Sequence, residues 1–255
     1  MKRRLIYAAL LVSLILGVIN GQEMSDGEII VTPAEKREVQ AFAKQFVKRL
    51  QQTHDMTPLI REFFVRDFAS CLRREIEKDA ENGEGKKLQL SSRELVRAYS
   101  TEMNLHYMMI VAFMYDNGRG IKGDYDPFKS TFPPRIQKQL DALERDGQLL
   151  DNDQLLDQKS YFRMLRRMEK VITEALQYIT RKKIESTPAF LKEFNRYAKS
   201  DWLGYVVKAG PGDHALVCKH PGAKVYSVTT PTWLVLALMK EKGKLRISFA
   251  GPYGE

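Results

Sequence analysis

The sequence is poor in the residue types and motifs from which most enzyme sites are built. It has only two cysteines and four histidines in 255 residues. No Gly-x-Ser-x-Gly or His-Glu-x-x-His segment is present, so the signatures of serine hydrolases and zinc proteases are both missing. The acidic segments at Asp124 and Asp151 lack the central glycine and the final glutamate of a calcium loop. We therefore predict no cofactor.

Long apolar runs are equally scarce, and the longest lies near the N-terminus. Basic residues at 2–4 precede an apolar stretch at 5–19, and the chain turns polar at 20–22. This layout predicts a secretory signal peptide over residues 1–21, because the apolar stretch is shorter than the about 20 residues that span a bilayer. An uncleaved anchor is the alternative. We predict an exported protein, periplasmic or secreted, with no transmembrane segment after signal cleavage.

Acidic residues are outnumbered by basic ones, 32 to 41, which gives a net charge of +9. The excess is spread along the chain, so a solvated basic surface is the simplest interpretation. No stretch interleaves basic and aromatic residues in the manner of a nucleic-acid site, and we predict no nucleic-acid partner. Association with anionic envelope surfaces remains a hypothesis, which requires the charges to cluster on one face and binding to weaken with salt.

The two cysteines are Cys71, in a helical segment, and Cys218, in a predicted strand. Export into an oxidising compartment makes them a candidate disulfide that would tie the helical part of the chain to the sheet. Two buried free thiols are the alternative.

Apolar residues recur at helical spacing from about residue 35 to 200. Capping residues at Thr32 and Ser91, and a Thr-Pro pair at Thr57, predict helix starts. Gly147 predicts the end of a helix that begins near residue 134.

In the C-terminal region the hydrophobic pattern changes from helical spacing to the pattern of strands. Leu245, Ile247 and Phe249 alternate with polar residues, which predicts a half-buried strand. The apolar run Trp233–Met239 predicts a strand covered on both faces. Lys242-Gly243 between the two runs predicts a tight hairpin turn.

Helices first and strands last predict the α+β class. We expect a mainly helical body at 35–200, followed by a C-terminal antiparallel sheet of four to five strands at 202–253. We expect residues 22–34 to form a loose, irregular lead-in before the fold, and residues 35–255 to form a single domain.

Two groups of residues are weak candidates for chemistry. Cys218 and His220 lie two apart on a predicted strand, near enough to share a metal, although hairpin-end residues without a metal are the simpler interpretation. Glu102 and His106 lie one helical turn apart, which suits either an acid–base pair or a core histidine bonded to a carboxylate. The second interpretation is favoured.

Two stretches resemble a known fold. The helix at 39–50 is followed by Asp55-Met-Thr-Pro-Leu and by the run Phe63-Phe-Val-Arg-Asp-Phe, and the chain closes on the hairpin Leu-Ala-Leu-Met-Lys-Glu-Lys-Gly-Lys-Leu-Arg-Ile. These segments resemble the cone-shaped α+β fold of nuclear transport factor 2-like and SnoaL-like proteins. The resemblance covers residues 35–72 and 202–253, whereas residues 80–200 hold far more helix than that fold.

The resemblance implies helices folded over a curved antiparallel sheet with a pocket between them. Some members of these families use an Asp–His pair for isomerisation or hydration, and Asp67 and His214 have the right residue types for such a pair. The leading hypothesis remains a non-catalytic binding or interaction module that takes a small apolar ligand or another envelope protein. The alternative is a small-molecule enzyme of the SnoaL-like kind.

Overall fold

The computed structural model describes residues 30–81, 90–121, 131–149, 158–211 and 223–253. The predicted signal peptide lies outside these residues, as does most of the predicted lead-in. The described elements, in chain order, are α1 (Pro33–Thr53), α2 (Met56–Phe63), α3 (Phe68–Glu81), α4 (Ser92–Gly118), α5 (Pro134–Leu149), α6 (Gln158–Arg181), a 3₁₀ turn (Ile184–Ser186), α7 (Pro188–Ala198), β1 (Val207–Pro211), β2 (Lys224–Thr229), β3 (Leu234–Glu241) and β4 (Lys244–Pro252).

Helices precede a C-terminal antiparallel sheet with strand order β1-β2-β3-β4, so the predicted α+β class is confirmed. The chain divides into two compact units. The described residues of 30–75 and 194–253 form one, which we call the sheet unit, and those of 76–193 form the other, the helical unit. The single domain expected over 35–255 remains a prediction.

Capping chemistry sets the helix starts. Glu35 N–H donates to Thr32 Oγ1 over 3.3 Å, and the Glu35 carboxylate accepts from Thr32 N–H over 2.8 Å, a complete capping box. Ser91 opens α4 with the same reciprocal arrangement. Both starts are confirmed, because each box satisfies backbone donors that the helix leaves unpaired.

Two predicted helix boundaries are wrong. The helix expected to restart at Thr57 begins at Met56, because Asp55 is the cap and its carboxylate accepts from Thr57 N–H over 2.9 Å. The helix expected to stop at Gly147 runs to Leu149. A helical glycine costs about 1 kcal/mol relative to alanine, which a helix can tolerate.

The β3–β4 hairpin forms as predicted. Lys242 and Gly243 both have positive φ, 52° and 78°, which is the backbone of a type I′ turn. The register shifts at Ala237/Leu238, where Ser248 is the extra residue on β4 and donates to the Ala237 carbonyl over 3.2 Å. Such a bulge bends and twists the strand that carries it.

β3 is largely buried on both faces, as its apolar run predicts, but it begins one residue later than expected. Trp233 lies in the turn before the strand, with φ 55°, and the strand starts at Leu234. The strand predicted at residues 215–219 lies outside the described residues.

Phenyl rings pack α1 and α2 in the core of the sheet unit. Phe46 meets Phe63 edge-on at 5.5 Å between ring centroids, and its ring lies 6.4 Å from that of Phe64. The segment after α2 pairs with the sheet, where Val65 N–H donates to the Ile247 carbonyl over 3.0 Å. Each buried phenyl contributes roughly 2 kcal/mol.

Glu35 also fixes the start of α1 to β2. Its carboxylate accepts from Lys224 Nζ over 2.8 Å and from the Tyr226 hydroxyl over 2.7 Å. The Lys224 ammonium, then the Tyr226 hydroxyl and the Thr32 contacts, hold the pKa of Glu35 well below its usual range.

In the helical unit, α4 packs against α6. Tyr107 of α4 is fully buried and its hydroxyl donates to Glu185, so burial first and the Glu185 charge second raise the pKa of Tyr107. No described helix of either unit is both long and apolar enough to cross a membrane.

Candidate functional site

An aromatic patch on the sheet unit is the best candidate for a binding site. Trp202, just after α7, is 49% exposed although it is one of the largest apolar side chains in the protein. Its ring lies 6.3 Å from that of Trp233, in the β2–β3 turn, and 5.8 Å from that of Tyr253, after β4. We call Trp202, Trp233 and Tyr253 the Trp202 patch.

A charged group and a buried ring support this patch from within the same unit. Tyr197 of α7 meets Trp233 edge-on at 5.5 Å and is 7% exposed. The Arg196 guanidinium lies 4.4 Å over the Tyr197 ring and donates to the Tyr197 hydroxyl over 2.8 Å. The patch therefore combines large rigid rings with a nearby guanidinium.

The backbone under Trp233 is strained. Its φ of 55° lies in the left-handed region, which is a genuine outlier for a bulky residue. Two buried threonines hold the turn, since Thr230 Oγ1 lies 2.9 Å from Thr232 Oγ1 and accepts from Leu234 N–H over 3.3 Å. Strain of this kind costs about 1–3 kcal/mol and persists where the surrounding structure enforces it.

The loop that carries Trp202 is held just as firmly. The Trp202 carbonyl accepts from Thr229 Oγ1 over 2.8 Å, and Leu203 N–H donates to Ser200 Oγ over 2.9 Å. Tyr205 has φ 59°, a second strained aromatic position, and burial raises its pKa to about 12. A Cβ on Gly204 would lie 2.4 Å from the Ser200 carbonyl oxygen, so only glycine fits there.

The composition of the patch fits recognition rather than catalysis. Trp, Tyr and Arg are the residues that dominate the energetic centres of protein interfaces. Rigid rings lose little conformational entropy when a partner covers them, and the fixed backbone lowers that cost further.

Only one member of the predicted catalytic pair, Asp67, lies within the described residues. Asp67 lies directly before α3, where its carbonyl accepts from the N–H groups of Ser70 and Cys71, which is the position of a helix cap. His214 lies outside the described residues, so its part in a pair remains untested. The Phe46, Phe63 and Phe64 rings described above pack beside α1 and α2, in the layer where the resemblance implies a pocket.

The predicted metal and disulfide residues fall mostly outside the described chain. Cys218 and His220 both lie there, and among the residues that the structure does describe no cluster of three or more metal-binding side chains occurs. Cys71 is buried in α3 at 3% exposure. Its pairing with Cys218 remains a prediction.

The helical unit contains a second polar cluster, centred on Glu102 of α4. Burial raises the pKa of this carboxyl from 4.5 to about 8. Glu102 Oε2 is fully buried and has no hydrogen-bond partner in the described part of the chain, although the residue as a whole is only partly buried. No bond between Glu102 and His106, one turn further along, occurs among the described residues, and the favoured prediction of a core histidine bonded to a nearby carboxylate remains untested.

Tyr161 of α6 lies near Glu102. Burial first, and then the charges of Glu102 and Glu169, raise the pKa of Tyr161. The Tyr161 hydroxyl is also buried without a partner among the described residues. Arg97 pairs with the Glu169 carboxylate, which also accepts from Thr101 Oγ1 over 3.4 Å. The cluster therefore holds the Glu169 carboxylate, which is paired with Arg97, and the Glu102 carboxyl, whose pKa burial raises.

The sequence analysis missed the Trp202 patch. Residue 202 marks only the start of the predicted sheet region, and Trp233 belongs to a predicted strand. The sequence does contain one indication of this patch, because Trp202 and Trp233 are the only two tryptophans in the chain and both adjoin loops. Their convergence with Tyr253 depends on the register of the sheet, which composition does not reveal.

Comparison with known proteins yields no relative. No family model, no curated protein and no solved structure matches the chain.

Proposed function

We propose that the protein is an exported, non-catalytic binding protein that contacts another exported protein through the Trp202 patch. The observation that carries this proposal is the half-exposed Trp202 ring, which meets Trp233 edge-on and Tyr253 at a tilt over a strained and firmly bonded backbone. A protein exposes such a ring at a cost in hydration unless a partner covers it.

Export is part of the proposal and rests on the sequence of residues 1–21. The resemblance to the nuclear transport factor 2-like and SnoaL-like proteins also remains a proposal. The helices α1 and α2 beside an antiparallel sheet with a bulge at Ser248 support it.

Recovery of a partner tests the proposal. The wild-type protein, Trp202→Ala and Leu191→Ala are each isolated from the cells that produce them, and co-purifying proteins are compared. Leu191 is the matched control, because it is also an exposed apolar residue, at 42%, but lies outside the patch. We expect Trp202→Ala alone to lose the partner, with affinity falling about thirtyfold or more.

Tryptophan fluorescence provides a direct second measurement. Because both tryptophans of the chain belong to the patch, their emission reports on this surface alone. We expect the partner to shift the emission and to protect Trp202 from a soluble quencher. Unchanged emission at saturating partner, or equal loss of the partner with Leu191→Ala, would contradict the proposal.

A further inference from the structure

A basic surface on the helical unit carries a separate inference. Exposed cations occur on α6 at Arg163, Arg166, Lys170 and Arg181. These positions lie within one side of the helix, because spacings of three, four and eleven residues return to the same face. We call these four residues the α6 basic face; its length is about 27 Å at 1.5 Å per residue.

The acidic residues of α6 do not neutralise this face. The helix has two carboxylates, Glu169 and Glu174, and both pair with arginines of neighbouring helices, Arg97 on α4 and Arg135 on α5. Glu174 lies on the same side of α6 as the four cations, four residues after Lys170, but its charge is balanced by Arg135. Arg163, Arg166 and Lys170 have no carboxylate partner in any described segment of the chain.

The composition of the α6 basic face favours the binding of phosphate groups. Three of its four cations are arginines, whose planar guanidinium donates two parallel hydrogen bonds to phosphate oxygens. Thr173 and Gln177, which also lie on this side, are exposed and polar. A face without exposed aromatic or large apolar residues suits adsorption on a charged surface, and it lacks the stacking rings of a single-stranded nucleic-acid site.

We propose that the α6 basic face docks the protein peripherally on the phosphate surface of an anionic phospholipid bilayer. The expected export of the chain brings it to such a surface. Each basic residue near an anionic membrane adds attraction that falls off within a Debye length, about 8 Å at physiological ionic strength. Binding is electrostatic, reversible and independent of the Trp202 patch, which belongs to the sheet unit.

Vesicle flotation tests this proposal. The protein is used in the form that accumulates in the cells that produce it. The vesicles consist of phosphatidylcholine alone or of phosphatidylcholine mixed with phosphatidylglycerol. We expect binding only to the mixed vesicles, with release at roughly 0.5 M salt. The triple variant Arg163→Ala, Arg166→Ala, Lys170→Ala should bind about a hundredfold more weakly.

The control variant removes the same charge from another helix. Lys36, Arg37 and Lys48 are exposed on α1, and their joint replacement by alanine also lowers the net charge by three. We expect this variant to bind the mixed vesicles almost as well as the wild type, and both variants to melt at the wild-type temperature. Equal loss in the two variants, binding to neutral vesicles or tighter binding to duplex DNA would each overturn the proposal.

Discussion

At the scale of single residues, polar groups buried without partners are the most informative features. Glu102 Oε2 and the Tyr161 hydroxyl are both buried without a hydrogen bond in the described part of the chain. An unpaired buried polar group costs about 1–3 kcal/mol, and a charged one costs more. Protonation is therefore the means by which Glu102 is accommodated between α4 and α6.

Glu102 predicts a specific pH dependence of stability. The folded state holds the proton to about pH 8, whereas the unfolded carboxyl loses it near 4.5. The native state thus binds more protons in this window, so the free energy of unfolding falls as pH rises from 4.5 to 8 and is level above 8. The full shift in the pKa of Glu102 corresponds to a change of roughly 5 kcal/mol in the free energy of unfolding. Partial exposure of the Glu102 side chain should reduce this change to about half.

Urea denaturation of Glu102→Gln across this pH range tests the prediction. The variant should lose the downward slope and be more stable than the wild type at pH 8. Glu94→Gln on the same helix is the control, because bonds from Ser91 lower the pKa of Glu94 and its contribution is lost only as pH falls. A wild-type slope that survives in Glu102→Gln would show that another group causes it.

At the scale of elements, close backbone contacts explain residues whose function the sequence left open. In the structure Gly118 ends α4 against the first turn of α7, where a Cβ would lie 1.9 Å from the Ala189 carbonyl oxygen. The glycine is required for packing within the helical unit.

Gly118→Ala should therefore destabilise the protein, by about 2 kcal/mol or more, although Gly→Ala within a helix is usually favourable. Gly120→Ala serves as the comparison, because a Cβ there meets nothing within 4 Å and only the positive φ of 76° adds cost, about 1 kcal/mol. Urea denaturation at neutral pH measures both. If Gly118→Ala costs no more than Gly120→Ala, the close approach is not a packing requirement.

Local chemistry made part of the fold predictable. The boxes at Thr32 and Ser91 and the turn at Lys242-Gly243 each need only a few neighbouring residues, and all were predicted correctly. Asp55 replaced Thr57 as a cap because both residue types can cap and tertiary packing selects between them. Gly147 failed as a stop because glycine only weakens a helix.

At the scale of the whole molecule, the binding surface could not be predicted because it joins distant parts of the chain. Trp202, Trp233 and Tyr253 are spread over 52 residues. The pairing of β3 with β4 brings Tyr253 N–H to the Trp233 carbonyl, and a bond from Thr229 at the end of β2 holds the Trp202 carbonyl. The α6 basic face could not be predicted from the sequence for a similar reason. The cations are spread along the sequence, and within the described residues the two carboxylates of α6, Glu169 and Glu174, pair with arginines of other helices instead.

A disulfide between Cys71 and Cys218 is a further prediction at this scale. It would close a loop of about 147 residues, which in the chain-entropy model stabilises a protein by up to about 5 kcal/mol. We expect the unfolded, unreduced protein to take up no thiol reagent and the reduced protein to take up two molecules, as read by intact mass. Cys71→Ser should lower the melting temperature as much as reduction does. Labelling of both cysteines without reduction would contradict the bond.

The central claim is that the Trp202 patch contacts a protein partner, and site-specific photocrosslinking tests it most directly. A photoreactive aromatic residue replaces Trp202 in one sample and exposed Leu191 in another, in cells that produce the protein. The account predicts one crosslinked product of discrete mass from position 202 and none of that mass from position 191. No product at 202, or the same product from both positions, would contradict it.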